Sequence, residues 1–463
     1  MPLDRAGETS IPERQNGTNQ PMEAGPVHVS HTEESDQDQP TVAPATAEQG
    51  SGFTLIVAAT GLVGIAGYLI TALLPKEIGV ASYAVFAVFW SFIFFAAAAL
   101  TGIQQEITRG TQAREPGDTT RAGQAGKFAA VAFVVVLVIV FGTAPFWQPA
   151  VFPEHGWALV IPLAVGAASY VPLAVLAGSL YGVGHWKALF ALITIEGLLR
   201  LVLVGAVALL YPDAVALAWA VAIPFPVAVL AVWPFARARI VGKTRLDVTL
   251  PQLTWNVGRT IVAAAAMGLM ISGFPLILKL TSPGVGAEEI GLVILLATLT
   301  RAPLIVVGMA LQSFLIVFFR ARAAHFWRTL LMLEGVVAVI GVVLAVLGYL
   351  LGPVIFGWLY PNETAPADWL IPTLVLSAAL VGALCVSAPA VLSRNAHSAF
   401  SAGWIVAALT TIGCLLLPLP FIDKTVLSLL VGPAAGVLVH AVYLAVVRRD
   451  APAARNATSG PTA

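Results

Sequence analysis

Apolar runs of membrane-spanning length follow one another from Phe53 to Val447, each closed by a short polar break. A hydrocarbon core about 30 Å thick calls for roughly 20 apolar residues per helix. On that measure the pattern predicts twelve spans, near 53–74, 79–103, 126–149, 157–181, 187–210, 213–235, 256–280, 289–318, 329–351, 369–392, 398–419 and 425–447. The breaks at Tyr211-Pro212-Asp213 and Pro420-Phe421-Ile422-Asp423-Lys424 are short, but proline and an acid at each favour two helices and a tight turn over one long helix. The expected fold class is an all-α polytopic membrane protein with about 12 transmembrane helices.

The pattern also repeats. Ala58-Ala59-Thr60-Gly61-Leu62 is echoed by Ala265-Ala266-Met267-Gly268-Leu269, Gly79 by Gly286, and the basic exit at Arg109 by Arg320. Gly182-Val183-Gly184-His185 corresponds by position to Asn395-Ala396-His397; 207 residues separate Gly79 from Gly286 and 212 separate His185 from His397. Two homologous membrane halves are a common transporter plan. The expected organisation is an N-terminal tail over 1–52, a six-helix bundle over 53–235, a linker over 236–255, a second six-helix bundle over 256–447 and a C-terminal tail over 448–463.

Charge orients the chain. Among loop and near-loop cations, seventeen from Arg109 to Arg455 fall on the side of the termini, against Lys76, Lys279 and Lys424 opposite. The positive-inside rule then places both termini in the cytoplasm, and the bias toward Ala, Gly and Val points to a bacterial cytoplasmic (inner) membrane. The opposite loops are acidic, with Glu77, Glu154, Asp213, Glu288, Glu289, Glu363, Asp368 and Asp423.

Composition agrees: 58% of residues are hydrophobic and 10% charged, where an ordinary soluble domain carries about 25% charged. The formal net charge of zero hides an acidic, polar tail over 1–52 whose composition predicts disorder. No cleavable signal peptide is expected, since the first apolar run begins only at Phe53. Cys385 and Cys414 lie in apolar runs without metal-ligand spacing and read as small hydrophobes. No metal, cofactor or nucleic-acid partner is expected; a monomer in membrane lipid is.

The chain resembles the polysaccharide flippases of the multidrug, oligosaccharidyl-lipid and polysaccharide exporter superfamily. The likeness rests on Ile78-Gly79-Val80-Ala81-Ser82-Tyr83-Ala84-Val85-Phe86, on the exit at Thr108-Arg109, and on Gly178-Ser179-Leu180-Tyr181-Gly182-Val183-Gly184 with the later Arg200. Arg301-Ala302-Pro303-Leu304 and Gly432-Pro433-Ala434-Ala435-Gly436 extend it, so that it covers 53–447. The resemblance implies a transporter that flips a lipid-linked oligosaccharide or a related polysaccharide precursor by alternating access between two six-helix bundles. The lipid II flippases of the superfamily usually have fourteen spans and the drug-extruding branch twelve, so a cation-coupled multidrug exporter is the alternative, with H+ or Na+ as coupling ion. A membrane glycosyltransferase or polymerase is the weaker alternative, because the outer loop 352–368 offers only Glu363 and Asp368 with no base or nucleophile arrangement; no catalytic residue is assigned and no enzyme is expected.

Embedded ions single out the candidate site, since each costs at least about 2.5 kcal/mol on insertion scales. Glu196 and Arg200 lie one helical turn apart in the fifth span, and Arg301 lies near the middle of the eighth. Arg200 and Arg301 could hold a lipid-linked pyrophosphate in a cationic lumen; equally, Glu196 could neutralise Arg200 within its helix and Arg301 could cap a carbonyl. Arg301 has no acid three or four residues away. Glu334, Gln104, Gln312 and His440 are further candidates for coupling or cavity lining, with packing as the competing role. Trp90, Trp219 and Trp404 lie deep enough to face lipid, packing or cavity.

Overall fold

The computed structural model describes residues 47–113 and 124–457; residues 1–46 of the expected tail, 114–123 and 458–463 lie outside the described residues, and 47–52, expected as part of the disordered tail, already belong to the first helix. Twelve described helices are long and apolar enough to cross a membrane, matching the twelve apolar runs in order and position. They are α1 (Ala47–Ile78), α2 (Val80–Gly110), α3 (Gln124–Val151), α4 (Trp157–Gly182), α5 (Trp186–Leu210), and α6 (Ala214–Ala222) with α7 (Pro224–Ile240) as one interrupted span. The second set is α8 (Leu250–Gly268) running through a π turn at Leu269–Gly273 into α9 (Phe274–Thr281), then α10 (Ala287–Ala321), α11 (Phe326–Leu359), α12 (Leu370–Leu392), α13 (His397–Leu415) and α14 (Phe421–Ala457).

The six-plus-six repeat appears as a repeated packing scheme. In the first set α2 packs on α4, α3 on α4, α4 on α7 and α5 on α7; in the second α10 packs on α12, α11 on α12, α12 on α14 and α13 on α14. The turn before the fifth helix of each set repeats in backbone detail. Gly184 takes φ 67 and Asn395 φ 59, both left-handed, and each lies two residues before its helix. Asn is one of the few residues with a side chain that visits this region readily. The backbone N–H of Trp186 bonds the Gly184 carbonyl at 3.0 Å as that of His397 bonds the Asn395 carbonyl at 3.1 Å. The fold therefore aligns His397 with Trp186, one residue away from the His185 pairing that the bare sequence invited.

Helices extend beyond the predicted apolar limits, because a helix need not end where the hydrocarbon does. The expected linker 236–255 contracts to 241–249: α7 carries Arg237 and Arg239 in its last turn, and a capping box of Thr249 and Gln252 starts α8. Within it, a short strand β2 (Thr244–Leu246) pairs antiparallel with β1 (Thr111–Ala113), which follows α2 directly. The Asp247 N–H extends this clip to the Gly110 carbonyl at 2.9 Å.

Between helices in lipid there is little hydrophobic driving force, so small residues that permit close approach decide which faces meet. Along α2, Gly102 sits against the Ile261 backbone and Ala98 against Gly268 of α8, while the Val80 carbonyl abuts Gly291 of α10. These contacts join the two sets. The third helix of each set is peripheral: α3 exposes Val131, Val134 and Val138, and α11 exposes Val339, Val346 and Val354, side chains a bilayer would solvate.

Candidate functional site

Two interruptions of regular helix shape the space between the sets. The first lies in the span of α8 and α9. Pro275 has no N–H and its ring crowds the carbonyl four residues back, and the chain widens into the π turn just before it. Ser91 of α2 completes the broken ladder: its hydroxyl donates to the Ser272 carbonyl at 2.6 Å and accepts the Leu276 N–H at 3.1 Å. The hydroxyl thus stands inside what would be one α-helical hydrogen bond. The second interruption is Pro303 in α10, which leaves the Leu299 carbonyl without its usual partner; the Tyr68 hydroxyl of α1 donates to it at 3.4 Å.

Between these features lies a cavity of about 610 Å³, lined by α1, α2, α5, the π turn, α9 and α10. That volume falls within the range of about 300–1,000 Å³ usual for small-molecule sites. Both embedded arginines line it: Arg200 from α5 and Arg301 from α10, with relative exposures of 3% and 5%. Thr60, Tyr68, Thr71, Tyr83, Ser91, Thr101, Ser272 and Thr298 add hydroxyls to an otherwise apolar wall.

The arginines differ in their surroundings. Arg200 forms an ion pair with Glu196 one turn earlier, and its guanidinium faces the rings of Phe94 at 4.8 Å, Phe225 at 4.9 Å and Trp90 at 5.9 Å. An aromatic face attracts a cation through its quadrupole, and more strongly where water is excluded. Arg301 faces one ring, Phe274 at 5.7 Å, and has no carboxylate partner among the described residues; its buried Nε and Nη2 have no hydrogen-bond partner, and neither has the buried Nε of Arg200.

The other sequence candidates lie elsewhere. Glu334 is half-buried on α11 with a buried, unpartnered Oε1. His440 is fully buried among α12, α13 and α14: its Nδ1 is 2.9 Å from the Ser387 hydroxyl and its Nε2 is 3.4 Å from the Phe400 carbonyl. Gln104 and Gln312 are half-buried and line no described part of the arginine cavity. Glu106, at the end of α2, accepts from the Thr260 hydroxyl at 2.7 Å and pairs with Arg109 at 2.5 Å, tying α2 to α8.

Residue-type reasoning did not anticipate the ring cage around Arg200. Its signal was Trp90 and Phe94, four apart on one helix and therefore on one face, at the depth of an embedded cation. A second cavity, of about 390 Å³, opens near the acidic loops and includes Glu154, His155, Asp213 and Lys279.

No family model matches the chain. Solved structures do. The inward-facing conformation of a multidrug resistance MATE family transporter of the MOP superfamily superposes with TM-score 0.58 at 16% identity, covering 87% of this chain and 98% of that one. Lipid II flippase MurJ in an inward closed conformation gives TM-score 0.63 at 11% identity over 84% and 87% of the two chains. A Pyrococcus furiosus MOP superfamily transporter, described by the reverse polarity of its binding pocket, gives 0.54 at 17% identity over 87% and 95%. The fold is that of the MOP superfamily transporters, the superfamily that the sequence motifs resemble.

Among sequences, the chain is 30% identical over 411 residues to the uncharacterized protein Rv1510 of Mycobacterium tuberculosis, covering 88% of this chain and 94% of that one. It belongs to the same family as Rv1510. A second protein of that organism, the uncharacterized Rv3630, is 29% identical over 415 residues, covering 88% and 96%.

Proposed function

We propose that the protein is a flippase, carrying an anionic lipid-linked sugar across the bacterial cytoplasmic membrane by alternating access between its two six-span halves. One observation carries this: Arg200 and Arg301, contributed by opposite halves, line one largely apolar cavity, and both keep unpartnered guanidinium donors, Arg301 with no carboxylate beside it. A buried cation without an acceptor is costly, and an entering anion supplies the missing acceptors through a planar, two-pronged contact. The MOP fold supports transport between two halves, and the name of one structural neighbour, a lipid II flippase, supports a lipid-linked cargo. Both chain termini then lie in the cytoplasm, on the side of the basic loops.

The cavity disfavours a cation-coupled exporter. Among the described residues its only nearby carboxylate is that of Glu196, already engaged by Arg200. The test is Arg301→Ala, assayed by translocation of a sugar-tagged polyprenyl-phosphate probe in proteoliposomes. The expected result is loss of translocation with normal membrane insertion; wild-type transport by the variant removes the proposal. Arg301 is the cleaner target, because Arg200→Ala strands Glu196 as a buried unpaired charge and costs about 3–5 kcal/mol in stability.

A further inference from the structure

The charges around the arginine cavity do not sum to those of two free cations. Arg200 is matched by Glu196 and by three aromatic faces. Arg301 is nine-tenths buried and more, has no carboxylate partner, and leaves Nε and Nη2 unsatisfied. Among the described residues no other Asp, Glu, Lys, Arg or His lines this cavity. The other embedded acid, Glu334, lies outside its wall, and Glu106 pairs with Arg109 beyond it. The site therefore holds one unbalanced positive charge.

Resting on the flippase function proposed above, we infer that the cargo carries a single negative charge, that of a phosphodiester linking lipid to sugar, and that Arg301 is the residue that holds it. A lipid-phosphate-sugar diester has one ionised oxygen, whereas a lipid-diphosphate-sugar has two. The first leaves the loaded cavity neutral. The second leaves a net negative charge in a low-dielectric space, where an unbalanced charge is penalised. A diphosphate that touches both arginines still meets only one uncompensated cation, because Glu196 already balances Arg200.

The same count explains why Glu196 lies one turn from an arginine in the middle of a span. Its role is to set the charge of the site, and Arg200, fixed by its rings and its acid, forms the wall against which the head group rests. Glu196 is thus a specificity-determining residue that does not touch cargo.

The experiment uses the full-length protein in liposomes and three head-group-tagged probes: a polyprenyl phosphate hexose, the corresponding diphosphate, and phosphatidylglycerol. Wild-type protein is expected to translocate the phosphodiester sugar faster than the diphosphate by on the order of fifty-fold, the factor equivalent to one uncompensated embedded charge. In Glu196→Gln, which keeps side-chain volume and adds one net positive charge, that ratio is expected to fall or reverse. Equal or faster transport of the diphosphate by wild-type protein overturns the charge count while leaving the flippase function intact. A ratio unchanged in a folded Glu196→Gln variant overturns it as well; should that variant fail to fold, the wild-type ratio decides alone. Translocation of neither sugar probe overturns the flippase function itself. Phosphatidylglycerol carried as fast as the sugar probe supports the single charge but overturns the sugar as part of what is recognised.

Discussion

At the scale of single residues, the largest consequence of a small group is at Ser91. Its hydroxyl replaces one helical hydrogen bond with two across α2 and the π turn. Ser91→Ala leaves the Leu276 N–H and the Ser272 carbonyl without that partner in a buried setting, so a loss of about 1–3 kcal/mol is expected. Thermal unfolding in detergent checks it; an unchanged midpoint shows that the ladder closes by itself. His185, at the turn before α5, offers a titration. Burial, then the nearby Arg239 and Lys187, lower its pKa from the ordinary 6.5. The folded protein therefore resists protonation there: the stabilising contribution is complete above pH 6.5 and is lost as pH falls through the lower folded value. An NMR titration of labelled histidine is expected to place His185 below 6.5, and Arg239→Gln to move it upward; a midpoint above 6.5 contradicts the charge environment.

At the scale of elements, helices were legible where physics is one-dimensional. A bilayer imposes length and apolarity on each span separately, so twelve apolar runs became twelve spans; the break at 211–213 separates α5 from α6, whereas the second break falls at 416–420, with Phe421 to Lys424 already in the first turn of α14. The fifth-helix repeat was legible to within one residue; the shared left-handed residue, Gly184 in one copy and Asn395 in the other, fixes the register. Features made by two distant segments were not legible. The pairing of β1 with β2 joins Thr111–Ala113 to Thr244–Leu246, strands too short to leave a periodic trace. The cage around Arg200 draws rings from α2 and α7 that periodicity alone does not bring together. Arg301 was legible as a cation without a local partner, but only the fold places it with Arg200 in one space.

Across the whole molecule, the repeat and the site are at odds. Shifting by the 211 residues that separate Trp186 from His397 places Ala407 opposite Glu196 and Thr411 opposite Arg200. Thr411 is buried and bonds the Ser428 carbonyl at 3.4 Å, so the second half has the helix without the charges. One half carries an acid-balanced arginine and the other an unbalanced one, which gives the cavity a direction that its near-symmetric scaffold lacks. The halves meet near both ends: the Tyr360 hydroxyl donates to the Ala72 carbonyl at 2.5 Å near the acidic loops, and Thr260 donates to Glu106 near the basic ones. The alternating access proposed above requires at least one of these contacts to part. The clip between β1 and β2 offers a way to ask which. Gln112 and Arg245 are register partners with side chains 3.4 Å apart, and a disulfide formed by cysteines at the two positions is expected to leave translocation intact. Transport that stops on oxidation and returns on reduction would show that the strands separate during the cycle.

The clip also shortens the leash between the halves. Of the nine residues between α7 and α8, β2 claims three and Asp247 is tied back to Gly110, so only Val248 and Thr249 remain before α8 begins. A tether that short acts as a fulcrum. The start of α8 travels least in any rocking of one half against the other, and displacement grows with distance from it, so the far rim near Tyr360 and Lys424 sweeps the widest arc.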